Sequence, residues 1–345
     1  RLRRKLGRYD PMVQDSVTAF VERVAASLPM LADADPYRRA AARANLELGL
    51  NIAQYKPVPA MAEWVKALAE RLPDAADADE QVDLLRLMGN HGTKAEKDQL
   101  IRAGRTAKAP LARASAWTAL GRCSPRGCMP DAQVVRDAWA QESDPQVKGA
   151  LAALAGWAGM DEVLTWCDEA TLDEPQTGPG CRAALKRRGD VESLKLLAAR
   201  ARQLLGTAPG TKDTDRRVAG AVADLLPVAD LPEAGASVYE LYHELLMQPR
   251  HALALGTVVS QLLVLKDKKR AAGIAVAAYK RLEEVPEDGR GADHALLESR
   301  LRKVVLRLGA GPEIGLEDSD AHGHGHGPGA RGQDVPGGGH AGHGH

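Results

Sequence analysis

Asp144-Pro145-Gln146-Val147-Lys148-Gly149-Ala150-Leu151-Ala152-Ala153-Leu154-Ala155-Gly156 opens on a carboxylate and a proline and closes on a glycine. The aspartate is an N-cap acceptor for backbone N–H groups that have no partner in the first turn, and proline at the next position gives up a donor the helix does not use. From Ala150 to Ala155 the body is alanine and leucine, the strongest helix formers. This stretch therefore predicts a helix with a defined start.

The same opening recurs at Asp10-Pro11 and at Asp35-Pro36. After the first, Val13, Val17, Phe20, Val21 and Val24 share one helical face. Glycines at 49, 89, 121, 156 and 189 stand 40, 32, 35 and 33 residues apart, and are read as helix stops; prolines at 36, 73, 110 and 145 stand 37, 37 and 35 apart. Both markers drift around one period in the thirties, which accommodates two helices of about 11 to 15 residues and their turns. Sustained two-residue alternation is missing, so no sheet is expected.

With its Asp-Pro start, valine, basic residue, paired alanines and final glycine, Asp144 to Gly156 resembles the first helix of a HEAT-like repeat. Asp35 to Gly49, with Arg38 and Arg39, and Pro110 to Gly121, with Arg113 and Ala119-Leu120-Gly121, are looser copies, and Gln81 to Gly89 is a weaker one. The resemblance implies an all-α fold, a right-handed α-solenoid of helical hairpins over residues 10–205. It also implies a non-enzymatic protein–protein interaction scaffold whose partner is another protein. Some HEAT-like proteins are enzymes acting on DNA or on a bilin chromophore, which supplies a third functional reading.

Residues 206–308 lack the Asp-Pro starts and are read as a C-terminal helical capping region. There Ser237 and Glu240 form a capping box ahead of Val238, Leu241, Tyr242, Leu245 and Leu246 on one face. Leu253 to Leu265 is apolar nearly all round and predicts a covered helix, and Leu296, Leu297, Leu301, Val304, Val305 and Leu308 form the inward stripe of the last one. Residues 309–345 hold glycine and histidine without apolar periodicity, the composition of a disordered tail.

The chain is 44% hydrophobic but 3% aromatic, so its core must be built from Ala, Leu and Val in closely packed helices. Lys plus Arg and Asp plus Glu are 46 each, leaving no overall field to concentrate nucleic acid. No apolar run reaches the length of a membrane helix. The opening residue is Arg1, and Arg1, Arg3, Arg4, Lys5 and Arg8 make residues 1–9 a basic segment. An upstream signal peptide, membrane anchor or trimmed tag is expected, the anchor being the one route to a membrane.

Two sets of side chains carry chemistry. His322, His324, His326, His340, His343 and His345 alternate with small residues on a flexible backbone, and could bind Ni, Zn or Cu loosely, although no cofactor is required. A dedicated metal-handling role for this tail is the rival function; a plain polar or purification-like tail is the bland one. Cys123 with Cys128, and Cys167 with Cys181, bracket two non-helical segments. Two local disulfides would place the protein in a periplasm or cell envelope; a zinc site, which the wide second gap fits poorly, and free thiols in a cytoplasmic protein are the alternatives.

Trp117, Trp139, Trp157 and Trp166 gather in the middle of the chain, and Trp117 and Trp157, amid alanines, are expected to fill core space. His243, His251 and His294 are isolated from second ligands and read as structural. Lys186-Arg187-Arg188 and Lys266 to Arg270 read as solvated turns at hairpin ends.

Overall fold

The computed structural model describes residues 11–53, 59–206, 211–226, 229, 235–247 and 252–316. Among the described residues every regular element is helical and no strand occurs. The segment 1–9, Asp10 and the tail histidines lie outside them, as do the side chains of Val13, Val17, Ser237, His251 and Leu253. Contacts divide the chain into two compact units, residues 1–258 and 259–345.

The first unit begins with α1 (Pro11–Ser27), α2 (Pro36–Ala53) and α3 (Met61–Arg71), each packed on the next. Then come α4 (Ala78–His91), α5 (Lys97–Thr106), α6 (Pro110–Cys123), α7 (Ala132–Gln141) and α8 (Pro145–Trp157). The short α9 (Val163–Trp166) and α10 (Glu169–Leu172) lead to α11 (Gly178–Arg188), α12 (Val191–Gly206), α13 (Lys212–Asp224) and α14 (Gly235–Met247). Proline opens α1, α2, α6 and α8 as the sequence predicts, and Asp144 accepts from Gln146 N at 2.9 Å and Val147 N at 3.1 Å. Asp35 accepts from Tyr37 N at 2.9 Å in the same way.

Four alternate helices, α4, α6, α8 and α11, form a row in which each packs on the next, while α5 packs on α6 and α7 on α8. Here the glycines do something other than stop helices. Gly49, Gly89, Gly121 and Gly156 all lie inside their helices, and of the five only Gly189, with φ of +62°, is a left-handed C-cap. α8 ends instead at Gly159, φ +66°, in a Schellman turn with Met160 N on Ala155 O at 3.0 Å. A Cβ on Gly89 would lie 2.7 Å from the Cα of Ala119, and one on Gly156 2.5 Å from the Cα of Ala184. Gly89 and Gly156 mark places where one helix backbone touches the next, while Gly49 makes room for the side chains of Trp64 and Val24 and Gly121 for that of Trp157.

Polar contacts fasten the turns. Glu80, 3% exposed, takes Arg39 and Arg71 at 3.2 Å, Arg43 at 3.4 Å and Ala76 N at 3.0 Å. Burial opposes its ionisation, but the backbone N–H and the arginines more than offset this and hold its pKa below the usual value. Arg113 grips Glu142 through two nitrogens at 2.9 and 3.1 Å.

Beyond Gly206 the chain stays in the first unit, since α13 and α14 both pack on α12. The division falls at Val258/Val259, inside α15 (Ala252–Leu262), rather than at the change of composition. α14 starts at Gly235, two residues ahead of Ser237, and buries Val238, Leu241, Tyr242, Leu245 and Leu246. In α15, Leu255, Val258, Val259 and Leu262 are buried, while Val264 beyond its end is 60% exposed. In the second unit α16 (Lys268–Glu283) and α17 (Ala292–Arg307) pack on each other and on the turn Gly311–Ile314. Leu297, Leu301, Val304 and Val305 face inward as expected, but Leu296 is 53% exposed because it falls one residue off the stripe.

Two outcomes follow. Gly156→Ala gains about 1 kcal/mol of helix propensity but drives a methyl into backbone, so a net loss of about 1–2 kcal/mol is expected in urea unfolding. Gly220→Ala in α13, where a Cβ meets nothing within 4 Å, is the control and should stabilise. Glu80→Gln strands its arginines and should cost about 3 kcal/mol at neutral pH. Because the folded pKa of Glu80 is depressed, that advantage is present above about 4.5 and is lost as pH falls through the folded value, which a pH series of unfolding midpoints reads directly.

Candidate functional site

α11, the last helix of the row, lines a charged cleft together with α12, α13 and the loop after α10. One part, about 440 Å³, is lined by Pro179, Arg182, Lys186, Arg200, Arg216, Arg217, Gly220 and Asp224. The adjoining part, about 370 Å³, adds Asp173, Glu174, Pro175 and Asp213. The segment Cys167 to Thr177, which carries this loop, is fixed at three points. Cys181 in α11 stands at disulfide distance from Cys167, Arg182 Nη1 donates to Leu172 O at 2.6 Å, and Thr177 Oγ1 donates to Pro145 O at 3.1 Å.

Within the cleft one carboxylate serves three cations. Asp224 takes Lys186 Nζ at 2.7 Å, Arg182 Nε at 3.3 Å and Arg200 Nη1 at 3.6 Å. Arg200, 5% exposed, also donates to Asp173 at 2.9 Å, and Arg217 reaches Asp173 at 3.4 Å. Burial first, and then the neighbouring Arg200, push the Arg182 pKa below its ordinary value, against the pull of Asp224 and Asp173. A larger cavity of about 620 Å³ lies beside α4 and α5, but its wall is mostly small or apolar residues, with Arg102 and Lys108 as its cations and Asp77 as its acid, so it carries no comparable cluster of charge.

A second feature is aromatic. Trp139, at the end of α7, stacks on Trp166 of α9 with ring centroids 4.3 Å apart and planes 6° from parallel, and Lys148 Nζ sits 5.4 Å above Trp139. Both indoles are half-buried. Trp117 is 1% exposed and fills core space, as expected for an indole among alanines. Trp157 does not: it is 37% exposed, lying between Gly121 and the guanidinium of Arg187, whose Cζ is 3.2 Å from its ring centroid. The row is too closely packed to admit a second indole, so this one is displaced to its edge.

Both cysteine pairs stand at disulfide distance, with Cα separations of 5.3 Å for Cys123 and Cys128 and 5.2 Å for Cys167 and Cys181. Gly127, φ +92°, lets the chain turn back between the first two. Among the described residues no group of three or more His, Cys, Asp or Glu could hold a metal ion, so the four cysteines do not converge as a zinc site. His322, His324, His326, His340, His343 and His345 lie outside the described residues.

Sequence reasoning took Lys186-Arg187-Arg188 for a solvated turn. They form the last turn of α11, and each has a partner: Lys186 Asp224, Arg187 Trp157, and Arg188 the carbonyl of Met160 at 2.7 Å with Asp161 and Asp190. The missed signal is spacing, since Arg182 and Lys186 at i and i+4 share one helix face. No described helix is long and apolar enough to cross a membrane. No protein-family model matches the sequence, and no curated protein matches it.

Alkylation of the unreduced protein should label none of the four cysteines, and labelling after denaturing reduction should reach all four. Closure of the longer loop, between residues 14 apart, contributes about 3 kcal/mol, so Cys167→Ser/Cys181→Ser should lower the unfolding free energy by about that amount. The shorter loop should matter less, about 2 kcal/mol.

Proposed function

We propose that this protein is a non-enzymatic interaction scaffold of HEAT-like type, a right-handed solenoid of helical hairpins that binds another protein. The observation that carries the reading is the Trp139–Trp166 pair with Lys148 above it, half-exposed on a chain otherwise poor in aromatics. Large, rigid, amphipathic side chains on an exposed edge are what interface cores are made of. The ordered neighbours α4, α6, α8 and α11 support the solenoid, because each hairpin would bury its apolar face only against the next. The two cysteine pairs favour a periplasmic or cell-envelope location over a cytoplasmic one.

The six histidines of the tail favour a second reading, capture of Ni, Zn or Cu for delivery to a recipient on which the helices dock. Both readings meet in one experiment. Immobilised wild-type protein, Trp139→Ala/Trp166→Ala and a chain ending at Leu316 are exposed to envelope extracts of the source organism, and retained proteins are quantified by mass spectrometry. The scaffold reading expects a protein retained by the wild type and the truncated chain but lost from the double variant, whose helical circular dichroism is unchanged. Identical retention by wild type and double variant overturns the patch as the binding site. Loss of both metal and partner from the truncated chain would favour metal delivery.

A further inference from the structure

The geometry points to an oxyanion site in the cleft between α11, α12 and α13, taking a dianionic tetrahedral group, a phosphate monoester or inorganic phosphate, on Arg182, Lys186 and Arg216. It is independent of the scaffold reading and of the tryptophan patch.

Charge counting sets the valence. In the 440 Å³ part five cations face one carboxylate, Asp224. Asp173, from the adjoining part, shares Arg200 and Arg217. Arg182 and Lys186 are left with a third share of Asp224, and Arg216 is exposed at the mouth. Glu174 and Asp213 line the adjoining part, which Arg182, Arg200 and Arg217 also line, and not the 440 Å³ part. About two positive charges therefore stay uncompensated in the 440 Å³ part, on Arg182, Lys186 and Arg216. A monocarboxylate would leave half of that excess, whereas a phosphate group carries about −1.5 to −2 near pH 7.

The site is also built rather than incidental. Arg200 is a buried guanidinium fixed between Asp173 at 2.9 Å and Asp224 at 3.6 Å. Those two carboxylates anchor the floor, and Asp224 also holds Arg182 in place before a ligand arrives. Arg182 is fixed by the Leu172 carbonyl and partly desolvated, which raises the gain from meeting an anion. Guanidinium forks offer paired N–H donors to a tetrahedral oxyanion, and Lys186 adds a movable point charge.

The test titrates inorganic phosphate into the full chain at pH 7.5 by calorimetry, with ionic strength held constant by chloride. One saturable site per chain is expected, with sulfate competing and acetate not. Lys186→Met and Arg216→Ala should each weaken binding roughly tenfold or more, and Lys66→Met, which carries an exposed pair with Glu70 elsewhere, should not. Lys186 is half-exposed and Arg216 exposed, so both variants should keep the wild-type unfolding midpoint. Absence of saturation, equal competition by acetate, or equal weakening by Lys66→Met would overturn the site.

Discussion

Where α8 meets α11, the Cα of Ala184 occupies the space a side chain on Gly156 would need, and α4 meets α6 in the same way at Gly89 and Ala119. Contact between helix backbones is possible only without a Cβ on one side, and much of the molecule is arranged around that condition. It explains a core of alanine and leucine with hardly any aromatic residue. It also explains why bulky side chains in this region sit at the margins: one fully buried indole, Trp117, presses against Gly104 of α5, while Trp157 is turned outward beside Gly121. Dispersion in such a row comes from many short contacts rather than from large side chains.

Close packing has an electrostatic consequence. With backbones touching, no space remains in the row for polar side chains, and the charged residues that fasten it must work at the ends. The arginine three positions after a helix-opening proline shows how. Arg39 donates Nη1 to the carbonyls of Asp33 and Ala34, and Arg113 donates Nη1 to those of Ala107 and Lys108, at 2.9 to 3.2 Å in all four cases. Each then gives Nε to a glutamate, Glu80 or Glu142. The turn is closed in both; Arg113 and Glu142 match one to one, while Glu80 is shared with Arg43 and Arg71.

How much of this was legible in the sequence follows from the range of each signal. Helix starts depend on two adjacent residues, and Pro36, Pro110 and Pro145 were read correctly as first-turn prolines. Helix ends were misread, because a glycine inside a packed helix and a glycine at a C-cap are the same letter; only contact with Ala119 or Ala184 tells them apart. The cysteine pairs were visible because each is local, 5 and 14 residues apart. The charged cleft was not, since Asp224 lies 38 residues from Lys186 and Asp173 27 from Arg200. No local pattern announces a partner at that distance, so the basic run of α11 resembled an ordinary solvated turn.

Arg182 stands three residues after Pro179, the position of Arg39 and Arg113, and begins as they do, giving Nη1 to a carbonyl of the preceding segment, that of Leu172. From Arg113 it differs in the acid, and from Arg39, whose Glu80 is also shared with Arg43 and Arg71, it differs in lining a cleft. Glu142 takes a bidentate pair from Arg113, whereas the aspartate that receives Arg182 is also claimed by Lys186 and Arg200. The position at which Arg113 closes a neutral turn is here left in surplus, and it is held in a cleft because Cys167 and Cys181 bring the preceding loop against α11. Binding capacity at this end of the row thus needs no special motif. It arises from a structural arginine whose acidic partner has been shared out among too many cations, which is a property of the packing and not of any single residue.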